Sequence, residues 1–278
     1  MSDNESIDSL IYSYYKDVYK KQWGLPDWHE RVKLRLKEEE TCCLRFINWI
    51  EEWFNYDFSE KKVLVVGCGT GGEIINFHKK GAKVYGIEPN INALKISSIK
   101  ASNFFIPKEN ISHNYSENLP YNDEEFDFIF CYTVLEHVND VEISINEMVR
   151  CAKKNGHIFI ETPDYRQLYE PHYKLPLPMF LPIWFNKIIL RILKRPTRFL
   201  NTINKITSRK LQIIYQKLPV TAIRIYRNQQ NIIPKNKLKL SYFVGVFQYI
   251  ISRFFRIERN QIWMLYKTSN KKSNFVDK

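Results

Sequence analysis

KVLVVGCGTGGEIINFHKKGAKVYGIEPN, residues Lys62–Asn90, is the stretch that decides the fold. Val63–Val66 is a short apolar, β-branched run that predicts a strand buried on both faces. Gly67, Gly69, Gly71 and Gly72 follow within six residues, and Glu73–Lys80 resumes with helical spacing. A second strand is expected at Lys83–Ile87, after Gly81, and it ends on the carboxylate of Glu88. Glycines let backbone approach a ligand with no Cβ in the way, and the helix opening at the turn presents free N–H groups. An acidic residue about 20 positions on, at the tip of the next parallel strand, suits the two hydroxyls of a ribose. Gly67-Cys-Gly69-Thr-Gly-Gly72 also meets the bare G-x-G-x-x-G pattern, so spacing alone leaves a nicotinamide dinucleotide site open.

VLVVGCGTGGE with GIEPN resembles the first two motifs of the class I S-adenosylmethionine-dependent methyltransferases, and ENLPYNDEEFDFIFCYTVLEHV (Glu117–Val138) resembles their third and fourth. The likeness covers about Val63 to Pro163, plus a final strand at Gln261–Lys267. It implies an α/β, Rossmann-like, doubly wound and mostly parallel seven-stranded sheet with a C-terminal antiparallel hairpin. S-adenosyl-L-methionine is the implied cofactor. Gly67, Gly69 and Gly71 would hold its methionine end, Glu88 its ribose, and Ser116 with Glu117 its adenine side, with Tyr132 at the end of the fourth strand. The chain departs from the family at two points. Val65 stands two residues before the first glycine where Asp is common, and Tyr115 precedes Ser116-Glu117 where Asp is common.

At 278 residues the chain accommodates one large domain or one domain with a sizeable insertion. The five cysteines are odd in number and lack C-x-x-C spacing, which argues for reduced thiols and against zinc or a disulfide frame. Adjacent Cys42-Cys43 are expected to be packing residues, and no metal is expected. The acidic, polar MSDNESIDSL carries no signal-peptide pattern, and no run reaches the roughly 18 apolar residues a membrane span needs. A cytoplasmic protein is expected on these grounds. The distribution of charge says more than the total of +12. From Pro171 to Ile257 there are 87 residues without Asp or Glu and with 17 Lys or Arg, so the rest of the chain sums to −5. The partner such a stretch fits is an anionic surface or an anionic substrate.

Residues 1–58 are expected to be helical, with a break near Gly24-Leu-Pro26 and one long helix from Trp28 to Phe54, packed on the first strand or closing as a lid over the cleft. The core is assigned to 59–165 and 254–268. It comprises a helix at Ile91–Asn103, a weak strand at Ile111–Tyr115, a central strand at Phe126–Tyr132, a helix at Asn139–Lys153 capped by Asn155-Gly156, and a strand at Gly156–Thr162. Residues 166–253 break this alternation and predict a basic amphipathic helical insertion, with helices at Trp184–Lys194 and Phe199–Leu218. Such helices suit a membrane interface, with a cap packed on the sheet and nucleic acid as the competing readings. Phe254–Ile257 and Gln261–Lys267 are expected to close the sheet as a hairpin, leaving Ser269–Lys278 as a polar tail.

Methyl transfer from a sulfonium is an in-line displacement, so an alcohol acceptor also needs a base within reach. His137, just past the fourth strand, is the leading catalytic candidate. His172, soon after the fifth, is the second, and Asp164 and Tyr165 are candidate acceptor contacts. The chain lacks the (Asp/Asn)-Pro-Pro-Tyr pattern of exocyclic-amine methylation and the Pro-Cys of pyrimidine C5 chemistry, which weakens nucleobase substrates. PHYKLPLPMFLP resembles a stretch of methyltransferases in bacterial surface-glycan pathways. The expected reaction is therefore O-methylation of a sugar or lipid-linked glycan, by an enzyme peripheral on the inner face of a membrane. A quinone head group or RNA is the alternative acceptor. A dehydrogenase is disfavoured because no Ser/Tyr-x-x-x-Lys set follows the fourth strand, and a non-catalytic tethering module is the remaining rival.

Overall fold

The computed structural model describes residues 6–41, 43–226, 260–268 and 275–277. Helices α1 (Ile7–Lys16), α2 (Trp28–Glu38) and α3 (Leu44–Phe54) precede the sheet. The core runs β1 (Lys62–Val66), α4 (Gly72–Lys79), β2 (Lys83–Ile87), α5 (Ile91–Asn103), β3 (Ile111–Ser112), β4 (Phe126–Tyr132), α6 (Val141–Cys151) and β5 (Ala152–Pro163). A two-stranded hairpin of β6 (Tyr169–Glu170) and β7 (Leu175–Pro176) leads to α7 (Ile183–Ile192) and α8 (Ser208–Gln216). The sheet is completed by β8 (Val220–Ile225), β9 (Asn260–Lys267) and β10 (Phe275–Asp277).

The strand order is β3-β2-β1-β4-β5-β9-β8-β10. Only β9 among these runs against its neighbours, pairing antiparallel with both β5 and β8. The order reverses between β1 and β4, so the carboxyl ends of those two strands flank the crevice where such sheets bind ligands. Alternate residues of β1 serve opposite faces. Val63 and Val65 join Phe46, Ile47, Phe77, Phe128 and Phe130 on the side of α3 and α4. Leu64 and Val66 join Ile129, Ile145, Met148 and Tyr215 on the side of α6 and α8. Each fully buried large side chain of this kind contributes about 1.5–3 kcal/mol.

Several boundaries differ from expectation. The helix expected over Trp28–Phe54 breaks at a 3₁₀ turn, Glu39–Thr41, and at Cys43, whose φ is +57°. The break turns Glu39 inward onto Thr70 and Lys100, a demand the helical pattern does not carry. Helix α6 stops at Cys151, and Asn155-Gly156 is an irregularity inside β5 rather than a cap. Asn155 sits at φ +62°, and the register against β4 shifts there. The strand that pairs with β9 is Val220–Ile225, in a stretch expected to be helical. Its alternation of Val220, Ala222 and Arg224 with Ile223 and Ile225 serves a sheet covered on both faces. The expected strand Phe254–Ile257, Cys42 and the basic residues of the insertion from 227 to 256 lie outside the described residues. Phe275–Asp277, expected in a polar tail, pairs parallel with β8.

Candidate active site

The loop between β1 and α4 carries the first part of the site. A Cβ on Gly67 would meet Val134 Cγ2 at 2.5 Å, so the glycine admits the loop after β4. Gly69, at φ +52°, faces open space, with no atom of the described residues within 4 Å of where its Cβ would lie. Gly71 caps the start of α4. Glu88 leaves the tip of β2 and braces this loop: Gly69 N–H donates to its Oε2 at 2.9 Å, and Asn90 N–H to its Oε1 at 2.8 Å. Burial raises the Glu88 carboxyl above its ordinary range, against the pull of those two amides. Each oxygen keeps a lone pair for a further donor.

A second brace comes from outside the core. Glu39 is buried and accepts from the Thr70 hydroxyl at 2.5 Å and from Lys100 Nζ at 2.5 Å, with Arg35 Nε at 3.3 Å. The Tyr15 hydroxyl lies 3.2 Å from the same Thr70 oxygen. Burial, with the Glu88 charge next in weight, pushes the Tyr14 hydroxyl far up. The glycine loop, lacking the acidic residue common at position 65, is thus held by an acid from the preceding helices. Sequence reasoning missed Glu39, Thr70 and Tyr15, because no spacing rule links a mid-helix glutamate to a glycine loop 31 residues on.

Ser116 and Glu117 lie together at the start of α6. Ser116 Oγ is 2.9 Å from Ser144 Oγ and 3.2 Å from Glu117 Oε2, while Glu117 Oε1 accepts the N–H groups of Asn139 at 2.6 Å and Asp140 at 3.2 Å. Their polar atoms therefore hold the turn that opens α6. Tyr132, at the end of β4, packs its ring on Phe46 with centroids 5.3 Å apart.

The structure brings the two histidines into contact. His137 and His172 face each other Nε2 to Nε2 at 3.2 Å, and His172 Nδ1 is 2.7 Å from Glu170 Oε1. Glu170 is fully buried and also accepts Tyr173 N–H at 2.7 Å. The carboxylate assigns the Nδ1 proton to His172, so His172 Nε2 accepts from His137 Nε2–H and the free lone pair of the couple lies on His137 Nδ1. Desolvation, with His172 second, holds His137 below its ordinary value, although one edge of the residue is exposed. Trp23 and Phe199 wall the pair, with ring centroids 5.0 Å from His172 in each case. The His137 loop is tied down by Asn204, whose N–H donates to Glu136 O at 2.8 Å and whose amide donates to Val138 O. Val134, which touches Gly67, accepts from His137 N–H at 2.8 Å, so the glycine loop and the histidine pair share one support.

Glu136, next to His137, is fully buried. Its Oε2 accepts from the Thr162 hydroxyl at 2.9 Å, its Oε1 has no hydrogen-bond partner among the described residues, and burial pushes its carboxyl up to about 7. Glu136, His137 and His172 are the one group among the described residues that could hold a cation, with candidate ligand atoms all within 4.8 Å of one another. Asp164 is committed to Arg166 in a 2.5 Å ion pair, and Tyr165 is buried in the core. A separate cleft of about 500 Å³ between α6 and α8 shares no residue with the glycine loop or the histidines.

A sheet of this order, with a glycine turn after β1 and an acid ending β2, defines a class I S-adenosylmethionine-dependent methyltransferase. The family model for a methyltransferase domain matches residues 37–202, more than half of the chain, and the chain belongs to that family. A ubiquinone biosynthesis O-methyltransferase of Aliivibrio fischeri is 27% identical over 166 residues, which cover 58% of this chain and 66% of that protein. Among solved structures, the geranyl diphosphate C-methyltransferase of Streptomyces coelicolor superposes with a TM-score of 0.53 at 13% identity, covering 96% of this chain and 100% of that one. An S-adenosylmethionine-dependent methyltransferase of Archaeoglobus fulgidus gives 0.51 at 16%, covering 92% and 99%. These two share the fold. The open space at Gly69 beside the Glu88 carboxylate fits the cofactor, a cradle that any side chain on residue 69 would enter.

Proposed function

We propose that this enzyme methylates a hydroxyl on a lipid-borne acceptor, with His137 taking the hydroxyl proton. The observation that carries the reading is the Glu170–His172–His137 chain, adjoining the glycine loop through Val134. S-adenosylmethionine, when bound, supplies an electrophilic methyl group on sulfur. Gly67, Gly69 and Gly71 form the wall for its methionine end, and Glu88 offers two lone pairs to the ribose hydroxyls. Ser116 and Glu117 shape the adenine side by holding the Asn139–Asp140 turn, and Tyr132 closes the floor at the end of β4. At His137, Nδ1 accepts the acceptor's proton, Nε2–H shifts toward His172, and the buried Glu170 carboxylate stabilises the charge that develops. Such a base contributes about 10²–10⁴-fold. Trp23 and Phe199 cover the His172 side of the pair, and the exposed edge of His137 is left for the acceptor.

The names of the Aliivibrio relatives assign them O-methylation in ubiquinone biosynthesis, which supports oxygen as the atom methylated. A quinone head group and a lipid-linked sugar share the relevant chemistry, a hydroxyl on a hydrophobic anchor. Tritiated methyl incorporation into quinone-depleted lipid, quinone precursors, glycan-lipid and total RNA distinguishes them. Label in either lipid arm supports the reading, and label in RNA alone defeats it. His137→Ala and His172→Ala should each lower turnover about 100-fold or more, with S-adenosylhomocysteine affinity kept. Activity should survive a chelator, since the proton goes to imidazole. Its loss would hand Glu136, His137 and His172 to a metal ion instead.

A further inference from the structure

We infer that α7 is a docking helix for an anionic bilayer surface, with its exposed apolar stripe in the interface and its cations over the headgroups. Trp184, Ile188 and Ile192 recur every four residues along α7 and are 60%, 44% and 74% exposed, and Phe180, in the turn before the helix, is 62% exposed. Residues at this interval line one face of a helix. Leu193 and Phe185 widen the stripe and are also exposed. The opposite side of α7 is already used: Leu190 is buried in the core, and Asn186 is buried with its amide donating to Pro178 O at 3.2 Å. The helix is therefore fixed to the body and turns an aromatic and aliphatic edge outward.

Charge selects the occupant. Arg191, Lys194 and Arg198 are exposed beside the stripe, Lys187 is half-buried on it, and no acidic residue occurs between Pro171 and Ile257. A second copy of the chain would set these cations against themselves. Single-stranded nucleic acid would use stacking rings, whereas Ile188, Ile192 and Leu193 offer none. A bilayer takes both features at once, apolar side chains below the headgroups and cations among them. Ten residues of helix span about 15 Å, which lies along a membrane and does not cross it. No helix among the described residues is long and apolar enough to cross one.

The position of α7 gives the docking a consequence. The segment before it carries His172 and the segment after it carries Phe199, whose ring centroid is 5.7 Å from that of His137. Arg195 donates to Gly24 O, and the Tyr173 hydroxyl donates to Pro196 O at 2.7 Å, so this segment joins the N-terminal helices beside the histidine pair. Bilayer contact at α7 would bring that wall to the source of a lipid-borne acceptor. This consequence rests on the proposed acceptor. The docking does not, because vesicle binding is measured without donor or acceptor.

The test is co-sedimentation of the full chain with vesicles of phosphatidylcholine alone and of phosphatidylcholine mixed with phosphatidylglycerol. Binding should require the anionic lipid and fall with added salt. Ile188→Glu with Ile192→Glu should abolish it at unchanged Tm and unchanged S-adenosylhomocysteine affinity. Arg191→Gln with Lys194→Gln should weaken it roughly 30-fold. Equal binding to both vesicle types, or binding that survives the stripe variant, overturns the proposal. So does a several-degree fall in Tm for the stripe variant with vesicle binding kept, which would mean that the chain itself covers the stripe. An RNA gel shift that depends on Arg191 and Lys194 and not on Ile188, without vesicle binding, assigns the face to nucleic acid. A concentration-dependent dimer abolished by Ile192→Glu assigns it to self-association.

Discussion

Strand β4 and helix α7 are built from the same kinds of residue and meet opposite ends. Phe126, Phe128, Ile129, Phe130 and Cys131 are all fully buried, because helices cover both faces of the sheet around them. Trp184, Phe185, Ile188 and Ile192 stay exposed, because the described residues pack on one side of α7 only. Hydrophobicity states what a residue gains by leaving water, and the layers around an element decide whether it can leave. In β4 the gain stabilises the fold and positions the His137 loop. In α7 it is left for something outside the described chain.

The largest expected effect lies on the core side of this contrast. Gly69→Arg puts a long side chain into the open space beside Glu88 at a backbone angle few residues tolerate. Calorimetry with S-adenosylhomocysteine should show affinity reduced at least about 100-fold. Retained affinity would break the assignment of the glycine loop to the donor. Glu39→Gln tests whether the N-terminal helices belong to the core or only lie on it. It leaves Lys100 and Arg35 without their buried carboxylate, so chemical denaturation should show a loss of about 3–5 kcal/mol, with weaker donor binding. A loss under about 1 kcal/mol would demote the helices to a peripheral cover.

The smallest effect concerns Glu136. Its carboxyl is raised in the folded protein to about 7 from the ordinary 4.5, so the folded state holds its proton more tightly than the unfolded chain does. Its contribution is present below about pH 4.5 and is lost as pH rises toward 7. His137, held low, acts the other way, losing stability as pH falls below its ordinary 6.5. Glu136→Gln removes the first effect and keeps the second. The stability of the variant relative to the parent should therefore grow between about pH 4.5 and 7, by on the order of 3 kcal/mol. A difference that stays flat with pH would mean that Glu136 is ionised throughout.

The core was legible because its strands are continuous apolar runs and its turn is a glycine cluster. Those signals placed β1, β2, α5 and β4 within a residue of where they lie. The site was half legible. Gly67, Gly69, Glu88, His137 and His172 could be named, whereas Glu170, two residues before His172, was not singled out. Nothing in the spacing announced that an imidazole past β4 and one past β5 would meet at 3.2 Å, since they are 35 residues apart. The same holds for Glu39 at Thr70 and for Trp23 and Phe199 around the histidines. Strand β8 was missed because the basic, isoleucine-rich residues before it set a helical period that was carried past the break at Pro219.

From the amino-acid order alone came the alternation of strands and helices, the glycine turn with its downstream acid, and the split of charge along the chain. These are local properties, set by backbone sterics, side-chain period and composition. Contact between the histidines, the inward turn of Glu39 and the outward stripe of α7 came only with the tertiary structure. Each depends on which surfaces of distant segments meet, and that is settled when the whole chain buries its apolar area at once.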